Sequence, residues 1–356
     1  MASDTNGHSL VQYRCKTCNA PYPLGADDVI STCPYCGYTF IVDGGEMKEH
    51  LLIPNKLEEK GVEKVVLNWL KVAGSRSVGT RFIKDIELQK PTLQWIPTFR
   101  VEASCDVYHF GVKQEGSGDS KKLIKIEDSS RDIVDEWVVA RRHAATFGIE
   151  EFNASLTGVS TEKFDMKKTS KAPVLNSEIS EADAIPRARR RKTENDRVQL
   201  LAKMDKLLDY RLEMDPRESQ YVHAPYWLVR YEHRGGTFRV AISGATGQVI
   251  LGELPVTKRY RAKKWFASLF MLVGAALLFQ VLPYITWAIL EGGSSSDGDV
   301  FIIPLVIFAL GIILWIGSFS VVGGVLKYEI QMTARGEERE KGFSIENFIE
   351  KFRRGI

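Results

Sequence analysis

The feature that most constrains this chain is the segment 265–326, where two apolar runs flank a polar, glycine-rich connection at 291–299. The runs, 265–290 and 300–326, are 26 and 27 residues long and contain no Asp, Glu, Lys or Arg. A bilayer core of about 30 Å is crossed by roughly 20 such residues in a helix. Two buried helices of a soluble core would need a large helical protein around them, and the rest of the chain is neither apolar nor helical enough to supply it. The sequence therefore predicts a transmembrane helical hairpin over 258–327, with helices at about 265–290 and 300–326. No charge lies in either run to serve an ion or proton pathway. Gln280 and Pro283 interrupt the first helix and Pro304 sits near the start of the second, while Gly274, Ala275, Gly317, Ser318, Ser320 and Gly323 offer small surfaces for close packing, within the hairpin or between copies in a homo-oligomer.

The flanks set the orientation. Lys258, Arg259, Arg261, Lys263 and Lys264 precede the first helix, and Lys327, Arg335, Arg339 and Lys341 follow the second. The connection holds Glu291, Asp297 and Asp299 as its only charges. Positive loops stay inside, so a multi-pass cell-membrane protein with both termini cytoplasmic is expected. Residues 1–11 are polar and lack the apolar core of a signal peptide, which places 1–257 in the cytosol. A net charge of +3 over 356 residues is small, and argues against a general nucleic-acid binder.

At the N-terminus, YRCKTCNAPYPLGADDVISTCPYCGYTFIV carries two Cys-x-x-Cys pairs, Cys15 with Cys18 and Cys33 with Cys36, separated by fourteen residues. Each short turn presents two sulfurs to one ion, and the intervening chain brings the pairs together as a tetrahedron. Disulfides are disfavoured in a reducing cytosol, and a redox dithiol needs one pair rather than two. One structural Zn2+ is the expectation, because four thiolates leave no open position for water or substrate. Gly37 after the second pair supplies the positive backbone angle that aims amide hydrogens at the sulfurs. The fifth cysteine, Cys105, lies in strand-like VEASCDVYHF and reads as a small buried hydrophobe.

These residues resemble the zinc-ribbon superfamily, in which two such knuckles sit on β-hairpins, with Tyr13, Tyr35, Tyr38 and Phe40 as the aromatic packing of a tiny domain. Zinc ribbons serve transcription, translation and many adaptors, so the resemblance implies a domain, 1–43, and not an activity.

The body, 44–257, reads as α+β. LEEKGVEKVVLNWLKV at 57–72 places Val62, Val65, Val66, Trp69 and Leu70 on one helical face and should stop before Gly74. From Pro91 the period changes: LQWIPTFRVEASCDVYHFGV, LIKIED, DEWVVARRHAA and KFDMKK read as strands of a mostly antiparallel sheet, with GSGDSKK as a turn. Residues 176–218 return to helix, with the basic run PRARRRK at 186–192 leading into a stripe of Val198, Leu201, Met204, Leu207, Leu208 and Leu212 that docks on the sheet. The basic run has three readings: a solvated helix start or exposed loop, contact with anionic lipid headgroups, or nucleic acid. Three short strands at 221–231, 237–242 and 248–251 close the body, with turns at 233–236 and 243–247.

PYWLVRYEHRGGTFRVAISGATGQVILGELP, together with QWIPTFRVEA at 94–103, looks like the segments preceding the membrane helices in prokaryotic membrane proteins that carry an N-terminal zinc ribbon of the transcription factor B type, often labelled primosomal-helicase-like. The resemblance implies an architecture and a topology, with no activity attached to any residue. WIPTFRVE and APYWLVRYE form a weak internal repeat, each opening a β-meander.

No phosphate loop, HExxH, GxSxG or GxGxxG is present, and His109, His143, His223 and His233 are scattered rather than clustered. No catalytic residue is therefore assigned. The tail 328–356 ends in FSIENFIEKFRRGI, amphipathic and suited to the inner leaflet or to the cytosolic sheet. The sequence predicts a non-enzymatic, membrane-anchored scaffold that binds a lipid bilayer and a protein partner through the ribbon or body. The alternative is a membrane-tethered nucleic-acid-binding or regulatory protein.

Overall fold

A computed structural model describes residues 11–45, 47, 49–77, 80–116, 122–142, 147–169, 172–255, 258–291, 302–325 and 329–333. The expected turn GSGDSKK lies mostly outside the described residues, as do the connection after residue 291, His143 and the amphipathic tail.

In chain order the elements are β1 (Val11–Arg14), β2 (Pro21–Leu24), β3 (Ile30–Thr32), β4 (Thr39–Ile41), β5 (His50–Leu52), α1 (Glu59–Ser77), β6 (Glu87–Leu88), β7 (Thr92–Glu115), β8 (Lys122–Val139), α2 (Ile149–Ser155), β9 (Glu162–Lys163), α3 (Glu181–Leu201), β10 (Lys206–His233), β11 (Gly236–Ser243), β12 (Val249–Pro255), α4 (Lys258–Glu291), α5 (Ile302–Val325) and β13 (Glu329–Thr333). β1 with β2 and β3 with β4 form two small antiparallel hairpins. A larger sheet follows the order β13-β12-β11-β10-β5-β9, with β7 on β10 and β8 on β7. The α+β class and the antiparallel bias agree with the sequence; the β5–β10 pairing, His50 opposite Tyr221, is parallel.

Two compact units divide the chain. The first holds the N-terminal hairpins and the residues 88–230 and 239–251. Its sheet is covered on both faces where residues 96–101, 137–139 and 221–226 lie side by side. Trp137, Phe147, Phe152, Leu156 and Tyr226 pack in one core. Phe99, Val101, Ile179, Ala184, Ala188 and Tyr221 pack in another. α3 starts at a capping box: the Ser180 hydroxyl oxygen accepts from the Asp183 amide at 3.2 Å, and Asp183 Oδ2 accepts from the Ser180 amide at 3.1 Å. Its buried residues are Ala184, Ala188 and Leu200.

Here the structure corrects the sequence. The helix ends at Leu201, and Leu207, Leu208 and Leu212 lie on β10, a strand of 28 residues. Val198 and Leu201, expected on the docking face, are 70% and 54% exposed. The spacing of these leucines fits either period, and pairing decides between them: Leu212 sits opposite Val107, a residue so distant in the chain that no local window contains both. LIKIED and DEWVVARRHAA are one strand, β8, rather than two. Of KFDMKK only Lys163 lies in a strand, the end of β9; the segment turns into a 3-10 helix at Met166–Thr169. α1 runs through Gly74 to Ser77, with Val62, Val66, Trp69 and Leu70 buried as expected.

The second unit holds 67–87, 231–238 and 252–356. Ala262–Trp287 within α4 is long and apolar enough to cross a membrane, with a shorter apolar stretch at Pro304–Phe319 in α5. The two helices pack antiparallel. Ser268 donates to the Ser318 carbonyl at 3.3 Å, Gly274 faces Leu314, and the Phe279 ring lies against Gly311 and Phe308. Within the same unit, Gly252 is needed where it is, because any Cβ there would meet the Trp69 indole at 2.1 Å. β13, which the sequence did not announce, returns the chain after α5 to the side of β12.

Candidate metal centre

Each of the two N-terminal hairpins ends in a tight turn that carries a Cys pair. In the first, the Cys15 amide donates to the Ala20 carbonyl at 3.0 Å and the Asn19 amide to the Cys15 carbonyl at 2.9 Å. In the second, Cys33 and Gly37 do the same with Tyr38 and Cys33, at 2.8 and 2.9 Å. Both turns need a left-handed residue after the second cysteine. Gly37 (φ 77°) fills it in one and Asn19 (φ 58°) in the other. Asn tolerates that region because its short amide compensates locally, so Cys-x-x-Cys-Asn is the same signal as Cys-x-x-Cys-Gly.

The turns bring Cys15, Cys18, Cys33 and Cys36 together, with all four sulfurs within 4.8 Å of one another. Cys15 Sγ is 3.6 Å from Cys36 Sγ and Cys18 Sγ 3.7 Å from Cys33 Sγ. Four thiolates about 2.3 Å from one ion stand about 3.8 Å apart in a tetrahedron. The set therefore fits a single metal ion. Cys15 and Cys33 are buried, Cys18 and Cys36 exposed.

Electrostatics favour a cation here. Burial pushes the Cys33 thiol up, and burial with the three neighbouring thiols pushes Cys36 up to about 12. At Cys15 burial acts upward too, but the amides of Cys18 and Thr17 and the thiols of Cys36 and Cys18 outweigh it and bring it down to about 7. One thiolate forms readily and its charge then opposes the others, an arrangement that a divalent ion inverts. Tyr13 stacks on Phe40 at 4.8 Å and Tyr38 on Phe40 at 5.9 Å. Tyr35, expected in this packing, is 65% exposed instead, and Tyr22 takes the place, edge-on to Tyr13 at 5.7 Å.

The inner side of this module is tied to the sheet. The Val29 amide donates to the Ser177 carbonyl at 2.7 Å, and the Ser177 amide to the Ile30 carbonyl at 2.8 Å. The Asn176 side chain spans the seam: Oδ1 accepts from the Thr32 amide at 3.1 Å and the Ser31 hydroxyl at 3.2 Å, and Nδ2 donates to Asp28 at 2.7 Å.

A second tie runs through two histidines. His223 Nε2 lies 2.8 Å from the Leu175 carbonyl, His223 Nδ1 lies 2.7 Å from His50 Nε2, and His50 Nδ1 lies 2.8 Å from the Thr39 hydroxyl, itself 3.0 Å from Thr32 Oγ1. A carbonyl only accepts, so His223 carries its proton on Nε2. Its Nδ1 must then accept from His50 Nε2–H, and His50 Nδ1 accepts from Thr39. Both rings are neutral: burial lowers His223 to about 4, and burial together with His223 lowers His50 to about 2. His223 is thus a hydrogen-bonded residue and not a metal ligand. Its partner, 173 positions away in the chain, carried no sequence signal. His109 and His233 lie elsewhere on β7 and β10.

Cys105 is fully buried, as expected. The basic run lies inside α3 rather than before a helix, and much of it is engaged. Arg189 Nη2 donates to the Leu212 carbonyl at 2.7 Å, Arg191 to the Glu150 carbonyl at 3.1 Å, and Lys192 to Asp196 at 2.6 Å. Arg190 pairs with Glu194 on the exposed side at 2.8 Å.

No protein-family model matches the chain, and no curated protein or solved structure matches it either.

Proposed function

We propose that this chain is a membrane-anchored zinc-ribbon adaptor. One Zn2+ bound by Cys15, Cys18, Cys33 and Cys36 shapes the ribbon, the α+β body carries it, and α4 with α5 holds both at the inner face of a cell membrane, where a protein partner is recruited. The observation that carries this reading is the asymmetry of the four-cysteine module. Its inner side is bonded to the body through Ser177, Asn176 and Thr39, while Cys18, Tyr35 and Cys36 remain exposed on the other. Four thiolates also complete the shell of zinc, which favours a structural ion.

The anchor is supported by exposure. The apolar window of α4 is only 11% buried, with Phe266 at 73% and Phe270 at 81% exposed, whereas a core helix of a soluble protein would be enclosed. In this reading α5, packed antiparallel on α4 and apolar over Pro304–Phe319, serves as the second span. β12 leads into α4, and β13, its sheet neighbour, follows α5; this supports a reading in which the chain leaves and returns on one side, and the basic flanks in the sequence favour the cytoplasm for that side. The nucleic-acid alternative leans on the run 186–192, where Arg189, Arg191 and Lys192 already serve the body's own acceptors.

Cys33→Ser in the full-length protein tests the adaptor. Zinc should fall from one equivalent per chain to none by elemental analysis, and partners recovered from solubilised membranes should be lost while the chain remains in the carbonate-resistant membrane fraction. Full retention of the partners refutes the reading.

A further inference from the structure

Apart from α4 and α5, large exposed apolar side chains concentrate on β8. Leu123 is 73%, Ile124 41% and Ile133 60% exposed. β8 is 18 residues long and, among the described residues, pairs on one side only, with β7. A long edge with apolar side chains is a template for another strand, and proteins ordinarily shorten or cover such edges.

The charges of β8 identify what covers it. We infer that this edge pairs antiparallel with the same edge of a second copy, about a two-fold axis at Ser129. A two-fold perpendicular to the sheet keeps each face on its own side, so residues placed opposite must be an even number of positions apart. With the axis at Ser129, Glu127 stands opposite Arg131 of the second copy, and the reverse pair repeats it. Ile124 then faces Val134, and the Lys125 stem covers Ile133. No like charges meet between residues 123 and 135. Moving the axis to Asp128 sets Asp128 against itself and Lys125 against Arg131. Moving it to Ser130 sets Asp128 against Asp132, twice. Like charges directly opposite are destabilising and unlike pairs stabilising, so the axis at Ser129 gives the longest overlap of this edge with itself that is free of like-charge pairs; axes at Ile126 and Ile133 avoid them too but pair less of the strand. Within the chain, Arg131 already pairs with Asp106, and Glu127 accepts from Tyr108 at 3.0 Å. The second copy extends that row.

The test uses the full-length protein in nanodiscs. Mass photometry should show a dimer, and Ser129→Cys should form a disulfide-linked dimer under mild oxidation, with Asp128→Cys and Ser130→Cys crosslinking far less. Glu127→Arg and Arg131→Glu should each weaken the dimer about tenfold, since each turns two exposed attractions into repulsions, and the double swap should restore it. A monomer at micromolar concentration overturns the inference. So does a dimer indifferent to these reversals, stronger crosslinking at residue 128 or 130, or an unrelated chain bound along β8 in place of the second copy.

Discussion

Acid should loosen this protein through His50 and His223 before it protonates its carboxylates. Both rings are held neutral in the folded chain, at about 2 and about 4, against an ordinary value of 6.5. The unfolded chain therefore binds protons that the folded chain refuses. The stability these histidines contribute is complete above pH 6.5 and is lost as pH falls below it; for His223 the loss levels off near pH 4. At pH 5.5, one unit below the ordinary value, each should have lost about 1.4 kcal/mol, or about 3 kcal/mol for the pair. That is a large share of the roughly 5–15 kcal/mol that holds a typical domain folded. The assay is urea unfolding of the full-length protein in nanodiscs with excess zinc, at pH 7.5 and 5.5, beside the double variant His50→Gln, His223→Gln. Cysteine protonation affects both proteins alike, so the difference in pH dependence isolates the histidines. The double variant should be less stable at pH 7.5 and should lose about 3 kcal/mol less on acidification. Identical pH dependence in the two would falsify the neutral relay.

Asn176→Ala removes three hydrogen bonds across the seam and strands the Thr32 amide. Docking of the module should weaken by about 1–3 kcal/mol, seen as faster hydrogen exchange at 28–32 with zinc still bound. Gly111→Ala should cost about 1–3 kcal/mol, because its Cβ would lie 2.2 Å from Met204 Sδ and 2.6 Å from the Lys206 carbonyl oxygen; a fall in the thermal midpoint measures it, and an unchanged midpoint contradicts the packing. Leu277→Arg, on the exposed face of α4, should reduce insertion by about 2.5–3.5 kcal/mol on an apparent scale. The carbonate-resistant fraction reports it, and no change there argues against the span.

What the sequence determined by itself is what short windows or composition contain. Two Cys-x-x-Cys turns form from local backbone bonds, so the four-cysteine set is legible, and so is Asn19, whose tolerance of positive φ matches the use of Gly37. The apolar run in α4 is compositional, and the amphipathic face of α1 is periodic. The tertiary structure decided the rest, because the deciding contacts are long-range. Leu207 to Leu212 could continue a helix until β7, far earlier in the chain, supplies hydrogen-bond partners, which turns them into a strand. The basic run looks solvated or ligand-seeking until Leu212, Glu150 and Asp196 appear beside it. His50 and His223 carry no signal singly, and become a tautomer-locked relay only when a parallel pairing of β5 with β10 sets them in register. Local geometry wrote the four-cysteine cluster; the sheet chose which side chains it would be tied to.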